Sequence, residues 1–413
     1  IFSLNAQQTV QENMLFLKTR KEQRMVKFIH AADIHLGITV TGVEKSQKEI
    51  ARELKQAAFD AFERVIDTAI EEEVDALVLA GDLLDSSRTF VKEKCFLQSQ
   101  LNRLTPFGIP VVVALGNHDA GSAYVSGEHI YTFGTAVETI EVETRNGERV
   151  AFSGFSYEVP VVATRKVQEY PVKSANCDIH IGVLHGELAT AQGRYAPFSI
   201  PELREKGYDY WALGHIHTCQ EVSSQPCAWY SGTTQGADRK ESGPKGALLV
   251  EITPGNAPEV QFIETSTMDW TEVELAISET ARLETLPYLI VEALPSPAKR
   301  SLVTLHLQTQ ESMYSREDLK QLTEVVNGFL EEKRSLVTVM SIREQVTKPL
   351  RGASGISLVG DVDATLFSEM EIAKSGFSNQ LMSEFLQKED VQQEIHERAM
   401  RLLEARFSGR EEG

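Results

Sequence analysis

Five apolar runs in this 413-residue chain each end in a turn carrying His, Asp or Asn. Phe28–Ala32 leads into Asp33-Ile34-His35, Ala76–Ala80 into Gly81-Asp82, and Val111–Leu115 into Gly116-Asn117-His118-Asp119. Ile179–Leu184 leads into His185-Gly186, and Tyr210–Leu213 into Gly214-His215-Ile216-His217. Short runs rich in Val, Ile and aromatics read as buried strands. Polar groups at their carboxyl ends converge on one sheet edge, where open α/β folds place their sites. This convergence constrains the fold more than any other feature of the chain.

The alternation of strand-like and helix-like segments from Met25 to about Glu264 implies α/β architecture. Glu49–Glu73 has the apolar spacing of an amphipathic helix feeding the second run. Val91–Leu104 reads as another helix, with Ser86 or Ser87 as its cap. Thr139–Glu143 and Val150–Phe152, flanking Asn146-Gly147, form a hairpin pattern. Ala228–Ser231 and Ala247–Ile252 read as antiparallel strands, in one mixed sheet or two packed ones. Beyond Asp269, strands at Thr271–Leu275, Ser301–Gln308 and Ser335–Ile342 alternate with helices at Glu279–Leu286 and Arg316–Glu332, suggesting a small α+β domain over 271–346. After a Gly/Ser/Pro-containing linker, 363–407 reads as a helical C-terminal region that packs on its own domain or docks on a partner. Residues 1–24 read as an upstream extension, because Met25 opens the first confident strand.

No apolar run approaches a membrane span, which takes about 18 residues. The four cysteines lack CxxC spacing and read as free thiols, so the expected compartment is the cytoplasm. The net charge of −19 opposes tight unaided binding to a polyanion. A local groove or bound divalent cations can still hold phosphate on an acidic protein.

The turns supply a donor set for two metal ions. Asp33 and His35, at i and i+2 on a strand end, point the same way and can share one cation. Asp82 has two carboxylate oxygens and can bridge. Asn117 and His185 suit a second cation, and His215 and His217 repeat the i, i+2 spacing. Mixed imidazole and carboxylate ligands favour Mn, Fe or Zn over Ca or Mg. Two such ions about 3.5–4 Å apart polarise a phosphoryl group and generate a hydroxide for in-line attack. His118 is left for protonating the leaving group, with Asp119 fixing its tautomer and holding it cationic. Asp85 either stands behind the site or caps a helix. The remaining histidines (His30, His129, His180, His306 and His396) fall outside these turns, with His30 and His180 placed to be buried or paired within strands.

The order DxH, GD, GNHD, HG, GHxH resembles the calcineurin-like metallophosphoesterases. Gly116-Asn117-His118-Asp119 differs from the GNHE of the serine/threonine phosphatases, and no Arg-Gly follows Asp82-Leu83-Leu84-Asp85. Purple acid phosphatases place a Tyr ligand where Leu83 to Asp85 stand. Phe28–Gly37, Gly154–Tyr157, Tyr195–Phe198 and Lys206–His217 resemble the DNA-repair exonuclease branch, SbcD-type and YhaO-like, over roughly Met25 to Glu264. The resemblance implies an αββα sandwich with a small α+β cap and a helical C-terminal tail. It also implies a Mn-dependent exonuclease or phosphodiesterase of DNA repair. Its partners would be DNA, an SMC-like ATPase subunit and a second copy in a homodimer. Asp33, His35, Asp82, Asn117, His185, His215 and His217 fall on the family's metal ligands, and His118 on its catalytic histidine. Eukaryotic and archaeal members carry a second functional His where this chain has Asp85. The acidic balance favours a different substrate class: a small nucleotide, lipid or phosphoprotein. A binding scaffold with a degenerate site is a third reading, opposed by the intact ligand set.

Overall fold

The computed structural model describes residues 25–346, apart from 39, 41–47, 86–90, 122–124, 146, 190–191 and 279–281. The upstream extension, the C-terminal helical region, Ser86, Ser87 and Asn146 therefore lie outside the described residues.

The first six-stranded sheet is built by a repeating strand–helix unit. Strands β1 (Val26–Ala31), β2 (Ala76–Ala80), β3 (Val111–Ala114) and β4 (Ile130–Thr132) pair in parallel. Helix α1 (Lys48–Glu71) connects β1 to β2, and α2 (Val91–Asn102) connects β2 to β3. Helix α1 buries Leu54, Ala58, Phe62, Val65 and Ala69, one stripe at helical spacing, and turns its charged residues to water. Phe62, Val65 and Ala69 of that stripe pack with Ile29, Leu77, Leu79 and Val113, which alternate along the strands toward the helices.

A second six-stranded sheet follows. Strands β5 (Glu138–Glu143) and β6 (Arg149–Gly154) form the expected antiparallel hairpin, and β6 continues in parallel into β7 (Ile179–His185) and β8 (Tyr210–Gly214). Helix α3 (Ile200–Lys206) starts on a Ser199–Glu202 capping box and precedes β8. Strands β9 (Gln220–Ser224) and β10 (Cys227–Tyr230) complete this sheet in the order β5-β6-β7-β8-β10-β9. Two further strands, β11 (Gly246–Ile252) and β12 (Glu259–Glu264), return to the first sheet, β11 lying antiparallel against β1.

The antiparallel expectation holds for β11 but only half holds for β10. Strand β10 pairs antiparallel with β9 and parallel with β8. The chain leaves β8 through a loop, runs back along the outer edge as β9, and slots β10 into the gap.

The two sheets face each other across a shared core. Phe28, Val78 and Val250 from one sheet meet Phe152, Val183 and Tyr210 from the other, all essentially excluded from water. Each such aliphatic or Phe side chain stabilises the sandwich by about 1.5–3 kcal/mol relative to exposure. Aromatic side chains and loops, with the short α3 as the helix, cover the far side of the second sheet, where Trp211 lies stacked on Tyr208. The layering is the expected αββα order with a thin fourth layer.

Beyond β12, a parallel three-stranded sheet is formed by β13 (Met268–Ala276), β14 (Arg300–Thr309) and β15 (Val337–Val346). Helices α4 (Leu286–Ala293) and α5 (Arg316–Glu332) cover one face of it. Met268, Trp270 and Leu302 share a core with Leu54 and Ala57 of α1. Of the helix expected at Glu279–Leu286, residues 279–281 lie outside the described residues, Leu283–Thr285 form a 3-10 turn, and the α-helix runs over Leu286–Ala293. Pro287 fits the first turn of a helix, where no intrahelical N–H is needed, and the apolar Leu286–Val291 stretch supplies the buried face.

Candidate metal centre

All five turns meet where the carboxyl ends of the two sheets come together. Asp33, Asp82 and Asn117 follow β1, β2 and β3; His185 ends β7, and His215 and His217 follow β8. The turns are laced by backbone hydrogen bonds from Asp33 N to Gly81 O (2.9 Å), His35 N to Asp82 O (3.0 Å) and Gly186 N to Gly214 O (3.1 Å).

The donors sort into two groups that share Asp82. In the first, His35 Nε2 and His217 Nε2 face each other at 3.1 Å, with Asp33 Oδ1 3.9 Å from His217 Nε2. In the second, His185 Nε2 and His215 Nδ1 lie 3.0 and 3.2 Å from Asn117 Oδ1. Asp82 Oδ2 stands between them, 3.8 Å from His35 Nε2 and 3.4 Å from His185 Nε2. Its other oxygen accepts the His118 backbone N–H at 2.8 Å, which fixes the carboxylate's rotation.

Asp33, His35, Asp82 and His185 are all buried, with the carboxylates of Asp33 and Asp82 within 4.8 Å of each other. Burial pushes the Asp33 carboxyl up to about 6, against the pull of His185 and His217. Burial also opposes ionisation of Asp82, yet His185 holds that carboxyl below the usual range. Two adjacent buried carboxylates facing imidazole lone pairs are costly without a cation to take them up. The donor set therefore fits two divalent ions: Asp33, His35, Asp82 and His217 for one, and Asp82, Asn117, His185 and His215 for the other.

The local backbone departs from the strand-end reasoning. Asp33 (φ 51°), His35 (φ 48°), Asp82 (φ 52°) and His215 (φ 101°) all occupy left-handed conformations. Asp33 and His35 come together in one donor group because of these turns, not because of strand alternation. Such conformations in non-glycine residues persist where surrounding contacts over-determine them, as at functional sites. The glycines preceding the ligands are required by close approach. A Cβ on Gly116 would lie 2.2 Å from Asp82 Oδ1, and one on Gly81 would lie 2.3 Å from His185 Nδ1.

Second contacts fix the imidazoles. His185 Nδ1–H donates to Ala80 O at 3.0 Å, leaving Nε2 for a ligand. His217 Nδ1 is paired with the carboxylate of Glu241, a residue that no motif singled out. The sequence carries no spacing that would have found it, since Glu241 sits in the polar run Asp238-Arg239-Lys240-Glu241.

His118 lies at the rim, its ring edge-on to His35 with centroids 4.9 Å apart. Its Nδ1 is 3.2 Å from Asp85 Oδ1, and that hydrogen bond raises the imidazole's pKa above its ordinary value. Asp85, rather than the expected Asp119, faces Nδ1 of this ring, while the Asp119 charge adds to the rise in its pKa. The buried Asp119 carboxylate accepts backbone N–H groups from Leu83 (3.0 Å), Leu84 (2.9 Å) and Gly116 (3.1 Å), tying two ligand turns together. Asp85 is accordingly a partner of the site. His30 and His180 are buried within strands, as expected: His30 lies between Tyr210 Oη (3.0 Å) and Leu213 O (3.1 Å), and His180 lies 2.8 Å from Ser153 Oγ.

Two four-donor groups sharing one carboxylate, with an imidazole at the rim, have the make-up of a candidate dinuclear metal centre. The family model described as calcineurin-like phosphoesterase matches residues 26–219. YhaO of Bacillus subtilis, described as an uncharacterized metallophosphoesterase, is 34% identical over 281 residues, covering 66% of this chain and 68% of that protein. The DNA double-strand break repair protein Mre11 of Haloferax volcanii is 30% identical over 273 residues, covering 62% of this chain and 56% of its own. Mre11 of Sulfolobus acidocaldarius is 22% identical over 339 residues, covering 76% and 84%. The chain belongs to the calcineurin-like phosphoesterases.

Proposed function

We propose that this protein is a Mn2+-dependent exonuclease or phosphodiesterase acting on DNA ends in repair. The observation that carries the reading is the His118–Asp85 pair at the rim of the shared-carboxylate centre, 3.2 Å apart. Divalent ions held there supply Lewis-acid activation of a phosphoryl group and of water. The chain's own part is to orient and to move a proton. Asp85 accepts from His118 Nδ1 and raises the ring's pKa, so the imidazole can carry a second proton on Nε2 and give it to a leaving oxygen. DNA as substrate is supported by the likeness to Mre11 proteins from two archaea. With it come an SMC-like ATPase subunit and a second copy of the chain as proposed partners. The four cysteines are free thiols, which supports a cytoplasmic setting. Among the described residues, no helix is long and apolar enough to cross a membrane.

The net charge of −19 favours a second reading, hydrolysis of a small nucleotide, lipid or phosphoprotein. End-labelled linear DNA incubated with Mn2+, with and without a candidate ATPase, separates the two. Progressive loss of the label supports the nuclease. Intact DNA alongside hydrolysis of bis-p-nitrophenyl phosphate transfers the site to the second reading.

A further inference from the structure

Glu241 stands outside every ligand motif, yet its carboxylate meets one ligand directly. His217 presents Nε2 toward His35 and Asp33, and its Nδ1 faces Glu241 Oε1. A carboxylate can only accept there, so the ring must carry its proton on Nδ1 and leave Nε2 as the lone-pair donor. The other Glu241 oxygen accepts the Ala237 backbone N–H at 2.8 Å, so both ends of the carboxylate are held.

The loop bearing Glu241 is itself anchored at the start of β13. Gln235 Nε2 donates to Met268 O at 2.7 Å, and its Oε1 accepts the Thr267 N–H at 2.9 Å. Gly243 N donates to Trp270 O at 3.0 Å. Thr233 Oγ1 reaches back to Asp33 O at 2.6 Å. His185, by contrast, is oriented by a main-chain carbonyl, which no side-chain substitution removes. The two halves of the centre are thus held by different devices.

We propose that Glu241 is a positioning residue that fixes the tautomer and rotation of His217 and so sets the affinity of the Asp33–His35–His217 half of the metal centre, leaving the Asn117–His185–His215 half independent of it. The inference rests on the dinuclear reading of the site and is indifferent to whether DNA is the substrate.

Isothermal titration of the metal-free, full-length chain with Mn2+ tests it without any substrate. In Glu241→Ala, one of the two binding steps weakens about 10–100-fold, the usual effect of removing a ligand's hydrogen-bond partner. The other step is unchanged. Glu241→Gln, whose amide oxygen can still accept from Nδ1, recovers most of the loss. In electron paramagnetic resonance at sub-saturating Mn2+, Glu241→Ala gives a mononuclear signal where the parent gives coupled pairs. Equal weakening of both steps, no change in either, or a Gln variant as impaired as the Ala variant would each overturn the proposal. If Glu241→Ala does not fold, the Gln variant alone decides: a loss as large as that of His217→Ala overturns the proposal, and a small selective loss supports it. Two-step Mn2+ binding without DNA cleavage would count against the nuclease reading and leave this inference standing.

Discussion

His118 Nδ1 and Asp85 Oδ1 lie 3.2 Å apart, so the imidazole at the rim is oriented by the carboxylate three residues beyond the shared ligand Asp82. Replacing His118 with Asn should lower turnover by roughly 100-fold or more, the scale of a lost general acid. Asp85→Asn, which keeps the shape and weakens the acceptor, should lower it by less, roughly 10-fold. Neither should remove Mn2+, because neither residue belongs to the two four-donor groups. Phosphodiester kinetics paired with metal analysis of the same samples check this. Loss of metal in the His118 variant would place that ring among the ligands and end its assignment as the acid.

Asp82 Oδ2 lies 3.8 Å and 3.4 Å from an imidazole nitrogen of each group, whereas Asp33 Oδ1 lies 3.9 Å from His217 of one group and its carboxylate is within 4.8 Å of His185 of the other. Asp82→Asn should therefore empty both halves, and Asp33→Asn should leave about one ion per chain where the parent holds about two. Elemental analysis after gel filtration measures the stoichiometry directly. The same metals should stabilise the parent fold, by about 2.7 kcal/mol at a hundredfold excess over Kd, and chelation should reverse that gain. An Asp82 variant that still carries one ion would contradict the shared-ligand geometry.

Most of the centre was legible in the sequence because its ligands follow buried strands, and strands are the best-marked elements of an apolar pattern. The parallel order that brings Asp33, Asp82 and Asn117 to one edge follows from the helices between them. Other features were not legible, for physical reasons. Glu241 reaches His217 across a 24-residue separation, through a loop whose path depends on contacts with Met268 and Trp270. Asp119 adjoins His118 in sequence, but the turn directs its carboxylate into the backbone of Leu83, Leu84 and Gly116. The left-handed backbone at Asp33, His35, Asp82 and His215 breaks ordinary residue preference, and only the assembled site explains why it is tolerated.

Gly116 gives a stringent test of how closely the turns are packed. An added methyl would lie 2.2 Å from Asp82 Oδ1 and 2.6 Å from Asp82 N, and the backbone atom cannot swing aside. Gly116→Ala should cost about 1–3 kcal/mol of stability through overpacking. It should also weaken Mn2+ binding by displacing the shared carboxylate. Gly108, in a left-handed turn remote from the site, has nothing within 4 Å of the added methyl and serves as the control for backbone strain alone. Urea unfolding and Mn2+ titration of both variants make the comparison. Equal metal affinity in Gly116→Ala and parent would mean the turn has more room than the structure shows.

Away from the metal centre, Glu202 predicts a stability change in acid. The Arg165 guanidinium holds its carboxyl down to about 2, against burial and with help from Ser199 and Gln168. In the unfolded chain the group titrates near its ordinary value of about 4.3. A carboxyl depressed in the folded state binds fewer protons there than in the unfolded state, so stability rises with pH between those two values. The contribution is complete above the unfolded value and is lost as pH falls from about 4.3 towards 2. Glu202→Gln should thus be less stable than the parent at pH 7, by about 1 kcal/mol given partial solvent screening. The deficit should shrink steadily as the acid window is crossed. Urea midpoints measured in steps from pH 7 to pH 3 would show the two curves converging. Parallel curves across that window would mean that the Arg165–Glu202 pair does not hold the start of α3.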